Sequence, residues 1–171
     1  MRILLIVLIV FVSATLARAV DSVARPENTA KISSTNALAF AIRTATQIEI
    51  FALDPVTPVR GTENKLFTLP SFSGHAILES ATITDPKEIQ LLADSLANAI
   101  DAGKSPAWCF SPRHGLRVKT VTGELRLLVC FACSGVKIEG VPSLSFAPID
   151  PSLARQQWET VFAAHFPARK N

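Results

Sequence analysis

The side chains best suited to chemistry in this 171-residue chain are three cysteines and the charged groups among them. Trp108-Cys109-Phe110-Ser111-Pro112-Arg113-His114-Gly115 and Cys130-Phe131-Ala132-Cys133 flank a polar turn at Thr122-Gly123. Adjacent apolar arms joined this way predict an antiparallel hairpin over 108–120 and 124–133. With Thr122-Gly123 as a two-residue loop, Cys130 faces Gly115, Phe131 faces His114 and Cys133 faces Pro112. Residues far apart in sequence then meet at the open end of the hairpin.

Three chemistries compete there. Along a regular strand three residues span about 10 Å, whereas a disulfide needs Cα atoms about 4.4–6.8 Å apart. A Cys130–Cys133 bridge therefore requires the strand to break. Ser111-Pro112-Arg113-His114-Gly115 is a poor continuous strand, because proline cannot donate to the ladder and glycine often marks a bulge. A bulge of two or three residues brings Cys109 opposite Cys133. The favoured bridge is then Cys109–Cys133, with Cys130 free beside Gly115 and His114. On that pairing Cys109→Ser costs about 2–4 kcal/mol and Cys130→Ser much less.

The alternative is a Cys3His metal site of Cys109, His114, Cys130 and Cys133, spaced C-x4-H-x15-C-x2-C, with zinc as the cofactor. Thiol redox chemistry through Cys130 and Cys133 comes third. An activated C-x-x-C opens a helix, where backbone N–H groups lower the thiol pKa, and this one closes a strand. Arg113 is the ligand-binding candidate, since a guanidinium pairs with carboxylates and other anions; its plainer role is an exposed or surface-paired cation. His75, after Gly74 at a strand start, reads as a loop-edge histidine with no role, with a ligand as the alternative; His165 on an apolar helix face reads as structural, as do Trp108 and Trp158 in the core. The chain has no G-x-S-x-G elbow, phosphate loop, H-E-x-x-H or dinucleotide fingerprint.

Compartment follows from the N-terminus. Arg2, the apolar run 3–12 and Ala17-Arg18-Ala19 form the three parts of a secretory signal peptide over 1–19. Ten apolar residues reach only about 15 Å as a helix, half a bilayer core, which leaves an uncleaved anchor as the alternative. Export to the periplasm or beyond puts the cysteines in an oxidising compartment. Their odd number leaves one thiol for a ligand, a partner or burial. The formal charge is +3, and the mean hydropathy of +0.32 owes much to the leader. Losing Arg2 and Arg18 leaves 15 basic against 14 acidic residues. That balance makes no electrostatic case for nucleic acid or an anionic membrane. A hydrophobic content of 49% with 18% charged residues excludes a disordered chain.

The elements that position the cluster come next. Residues 20–35 are polar and aperiodic, a flexible lead-in, and the Ala-rich 36–45 predicts a short helix. Alternation over 47–53 predicts a strand, 55–73 a Pro-rich loop and 75–84 a second strand. Asp85 caps a helix opened by Pro86 and closed by Gly103, with Glu88 completing a capping box. Asp150-Pro151 repeats the signal, and Ala154, Trp158, Val161, Phe162 and His165 line one face until Pro167. Short strands fit 136–139 and 144–147. The expectation is an α+β domain over 36–167 with a tail at 168–171. Its antiparallel sheet has a central hairpin covered on one face by two amphipathic helices, with a hint of β-β-α duplication.

C-F-x-P-R-H-G at 109–115, followed by a polar turn and an apolar strand ending C-F-x-C at 130–133, resembles a family of small uncharacterised bacterial secreted proteins. The strand at 48–53, Phe72-Ser73-Gly74-His75 and the Asp85-Pro86 helix fall in that family's order, over residues 36–166. The resemblance implies a fold unit and a site at Cys109, His114, Cys130 and Cys133, and no reaction. The leading expectation is a non-enzymatic exported module that binds a protein partner or small ligand. A metal-binding protein and a thiol oxidoreductase are the other two.

Overall fold

A computed structural model describes residues 26–56, 69–104, 109–120, 123–141 and 144–167, with side chains from residue 35 onward. The leader, the tail, Trp108, Thr122 and most of the 55–73 loop lie outside the described residues. The chain divides into Met1–Ala30 and Lys31–Asn171, and the second unit carries the sheet.

The fold is mixed α+β, with three helices and a seven-stranded antiparallel sheet among the described residues. The elements are α1 (Pro26–Arg43), β1 (Ile48–Leu53), β2 (Ser71–Phe72), β3 (His75–Ile83), α2 (Pro86–Ala102), β4 (His114–Thr120), β5 (Gly123–Cys130), β6 (Gly135–Glu139), β7 (Phe146–Pro148) and α3 (Pro151–His165). Spatial order is β2-β3-β1-β4-β5-β6-β7. No helix among the described residues is long and apolar enough to cross a membrane.

Helix α1 corrects the expected lead-in. It begins at Pro26, so residues 26–35 are its opening turns rather than a flexible approach. Pro26 suits a first helical position, but the polar turns after it carry no apolar period to signal a helix. From Thr35 onward the helix buries Leu38 and Ile42.

One face of the sheet carries the main core. Ile48 and Ile50 of β1, Leu116 and Val118 of β4, Leu125, Leu127 and Val129 of β5, and Val136 and Ile138 of β6 pack with residues of all three helices. The alternation arises because successive strand side chains point to opposite faces. Asp85 Oδ1 accepts the Lys87 N–H at 2.9 Å to start α2, and Asp150 Oδ1 accepts the Ser152 N–H at 3.0 Å to start α3. The Asp150 N–H also donates to Ala99 O at 2.8 Å, tying the head of α3 to the last turns of α2.

The opposite face has a smaller core of Phe51, Leu53, Phe72 and Leu128. Its cover is the β2–β3 ribbon, turned at Ser73 and Gly74 with φ of 48° and 87°. Phe72 stacks on Phe51 at 4.4 Å, and the Ser73 hydroxyl donates to Glu139 Oε2 on β6 at 2.9 Å. The ribbon starts at one sheet edge, so that bond requires it to curl over β4 and β5. Gly115 provides the space, because a Cβ there would lie 3.0 Å from the Phe72 ring.

Gly103, just after α2, approaches β7 so closely that a Cβ would sit 2.3 Å from Pro148 O. Both neighbours are backbone, so relief requires moving an element. Gly103→Ala is expected to destabilise the fold by about 1–3 kcal/mol, read as a lower urea midpoint.

Candidate functional site

Pairing of β4 with β5 runs from Thr120↔Gly123 to His114↔Val129. The connection is therefore residues 121–122, and the expected register is corrected by two. Gly115 faces Leu128 and His114 faces Val129, rather than Cys130 and Phe131. Strand side chains repeat every second residue, so both registers keep the same apolar face inward and the pattern cannot distinguish them.

Beyond Cys130, residues 131–134 form a tight turn into β6, where Gly135 pairs back with Cys130. Ser134 adopts φ of 49°, and its N–H donates to Phe131 O at 3.3 Å. This turn is the strand break that a C-x-x-C bridge needs. The structure accordingly joins Cys130 to Cys133, with Cα atoms 5.2 Å apart, and not Cys109 to Cys133. Cys109 is an exposed free thiol.

The bridge takes up two of the four residues proposed as metal ligands. Among the described residues no group of three or more His, Cys, Asp or Glu could hold a metal ion, so Cys109, His114, Cys130 and Cys133 are not gathered into the alternative zinc site. The Cys133 N–H points at Cys130 Sγ at 3.1 Å, and the Ser111 N–H at Cys133 Sγ at 3.4 Å. Both bridged cysteines are buried, at 2% exposure. Thiol exchange needs an incoming thiolate at sulfur, and the packing around this pair restricts that approach.

Arg113 is held differently. Its N–H donates to Val129 O at 3.3 Å and its carbonyl accepts the Leu53 N–H at 3.0 Å, extending the ladder one residue before β4. The backbone is fixed on both sides while the side chain is exposed. Among the described residues the guanidinium has no carboxylate at ion-pair distance. Arg113 borders a cleft of about 90 Å³ with Ser111, His114, Cys130, Phe131, Ala132, Arg155 and Glu159. The His114 ring stands edge-on to Phe162 at 4.6 Å and to Phe131 at 5.3 Å, forming an aromatic wall. Arg155 Nε meets Glu159 Oε1 at 2.7 Å, which neutralises that cation and leaves the Arg113 charge open. Sequence reading missed Arg155 and Glu159, because an i,i+4 pair on an exposed helix face looks like ordinary surface.

The other singled-out residues lie apart from this cleft. His165 Nε2 is 2.9 Å from Glu88 Oε2, linking the end of α3 to the first turn of α2. Trp158 is fully buried. His75 is buried with Nδ1 unpartnered. Burial pushes its pKa below 6.5, and Lys137 adds to this, against a bond to the Asp54 backbone and the Asp54 charge.

The chain is thus an α+β domain with a disulfide-bounded cleft at one end of a hairpin. In comparisons with known proteins, no family model, curated protein or solved structure matches it.

Two outcomes follow from this geometry. Closing so short a loop, between residues three apart in sequence, is worth about 2 kcal/mol by chain entropy. The pair Cys130→Ala with Cys133→Ala should lose about that much in urea unfolding, while Cys109→Ser stays within about 0.5 kcal/mol. For His75, the unfolded chain takes up a proton more readily than the folded one, so stability falls as pH drops below 6.5. The melting temperature of the wild type should decline between pH 7.5 and 5.5, and that of His75→Gln should decline less.

Proposed function

We propose that the protein is an exported binding module that receives a small anionic group, a carboxylate or phosphate, on Arg113 beside the Cys130–Cys133 bridge. The observation that carries this is an open guanidinium on a backbone bonded from both sides, at the mouth of a small cleft. A guanidinium fork matches carboxylate and phosphate oxygens two at a time. A volume of about 90 Å³ lies well below the about 300–1,000 Å³ of sites for drug-sized ligands, which suits one headgroup rather than a whole nucleotide. The bridge and the 131–134 turn hold one wall in place before any ligand arrives, lowering the ordering cost of binding.

Export rests on the leader pattern at 1–19, and a bridged C-x-x-C suits an oxidising compartment. In this reading the β4–β5 hairpin is the central frame with α2 and α3 over one face. Its support is the fourth place of β4 among seven strands and the packing of both helices in one core. The two Asp-Pro helix starts, each after strands, support a β-β-α repeat within it.

Calorimetric titration with inorganic phosphate and with succinate tests the reading. Binding should occur to at least one, and Arg113→Gln should weaken it about 10-fold or more, about 1.4 kcal/mol. Arg155→Gln should weaken it less, since Glu159 already shares that charge. Unchanged affinity in Arg113→Gln would overturn the assignment.

A further inference from the structure

We infer that the β2–β3 ribbon is an acid-released strap: protonation of His75 frees it from the second face of the sheet and bares Phe51, Leu53 and Leu128 beneath. The ribbon has a hinge. β3 pairs regularly with β1 from Ile83↔Ile48 to Glu79↔Ala52, and then the register shifts so that Ile77 meets Leu53. An irregularity of this kind bends its strand and interrupts the ladder. Residues 71–77 lie beyond it. There the Asp54 N–H donates to Ala76 O at 2.9 Å, and within the ribbon the Ile77 N–H donates to Pro70 O at 2.7 Å. At the tip, the Ser73 hydroxyl donates to Glu139 Oε2 at 2.9 Å and the Phe72 ring stacks on Phe51. A two-stranded ribbon is marginal by itself in water, so this one stays closed only while such contacts hold.

His75 supplies the trigger. It sits across the turn from Phe72, buried at 7% exposure, and its Nδ1 has no hydrogen-bond partner. A neutral ring tolerates that, but an imidazolium carries a donor on both nitrogens, and a buried charged donor without an acceptor is costly. The charges around the ring do not compensate. Burial and Lys137 of β6 disfavour the cation, against a bond to the Asp54 backbone and the Asp54 charge. Arg126 of β5 lies over the Phe72 ring at 6.0 Å, and β4 meets that ring with uncharged Gly115. Glu139 of β6 is paired with Lys137 at 2.9 Å. Hydrogen bonding to Lys137, then to Ser73, holds its carboxyl below the usual range against burial, so the latch stays ionised in mild acid. Among the described groups on this face, the imidazole is therefore the one whose ordinary pKa lies between pH 7.5 and 5.5. Closed, the ring stays neutral; lifted, it reaches water and takes up its proton at the ordinary value. Acid thus favours the lifted ribbon, while the helices keep their core on the opposite face.

The test is amide hydrogen exchange of the leader-free chain at pH 7.5 and 5.5, corrected for intrinsic rates and repeated in low urea. The Asp54 and Ile77 amides, whose bonds the lifted ribbon breaks, should lose about 10-fold in protection at pH 5.5. That is the factor for an open-state ring titrating at 6.5 and a closed one held neutral. At both pH values they should exchange faster than the slowest ladder amides of β4 and β5 and respond less to urea, the mark of a local opening. His75→Gln should abolish the acid increment, and His75→Leu gives the same reading where His75→Gln fails to fold. Asp54 and Ile77 amides that match the slowest β4 and β5 amides in protection and urea response overturn the strap, because the opening is then global. An acid increment that survives the His75 variants overturns the trigger.

Discussion

Everything in the described fold converges on one buried indole. Trp158 of α3 is fully enclosed, and its Nε1–H donates to Ser95 Oγ on α2 at 3.2 Å. Its ring meets Phe131 of the β5–β6 turn at 6.0 Å, His114 of β4 at 6.4 Å and Phe162 of its own helix at 6.0 Å. A buried indole N–H must find an acceptor, and the Ser95 hydroxyl supplies one at the α2–α3 seam. Two helices, a strand and the bridged turn are thereby located against each other. The cleft beside Arg113 inherits its shape from that packing, because Phe131 and His114 are at once its wall and the indole's neighbours.

The sheet separates two kinds of environment along one hairpin. At the open end the chain is clamped by short-range bonds: the 131–134 turn, the Cys130–Cys133 bridge, and the main chain of Arg113 held by Val129 and Leu53. Such clamping leaves little room, and the cleft there is small and edged with cations. At the turn end the sheet meets the last turns of α1, where alanines face glycine backbone and leave a larger apolar hollow.

The second face explains residues that look idle in one dimension. Gly115 yields space to Phe72, Arg117 lies over the Phe51 ring at 5.1 Å while pairing with Glu49, and Ser73 reaches Glu139. These contacts exist because the β2–β3 ribbon curls back over the sheet. A sheet packed on only one side would need none of them.

Local chemistry was legible from the sequence alone. Asp85-Pro86 and Asp150-Pro151 announce helix starts because cap and proline act within a single turn, and alternation over 48–53 marks a strand because its period is intrinsic to the backbone. The α+β class follows from those elements. The start of α1 was hidden, since its first turns are polar and have no apolar face to betray them. Only the tertiary structure decided which cysteines pair. A two-residue slip of β4 against β5 preserves every inward side chain, so apolar patterning is blind to it, and the bridge depends on a left-handed Ser134 that no glycine advertises. The composition of the cleft was equally non-local, because Arg155 and Glu159 reach it through the docking of α3, which the buried Trp158 enforces.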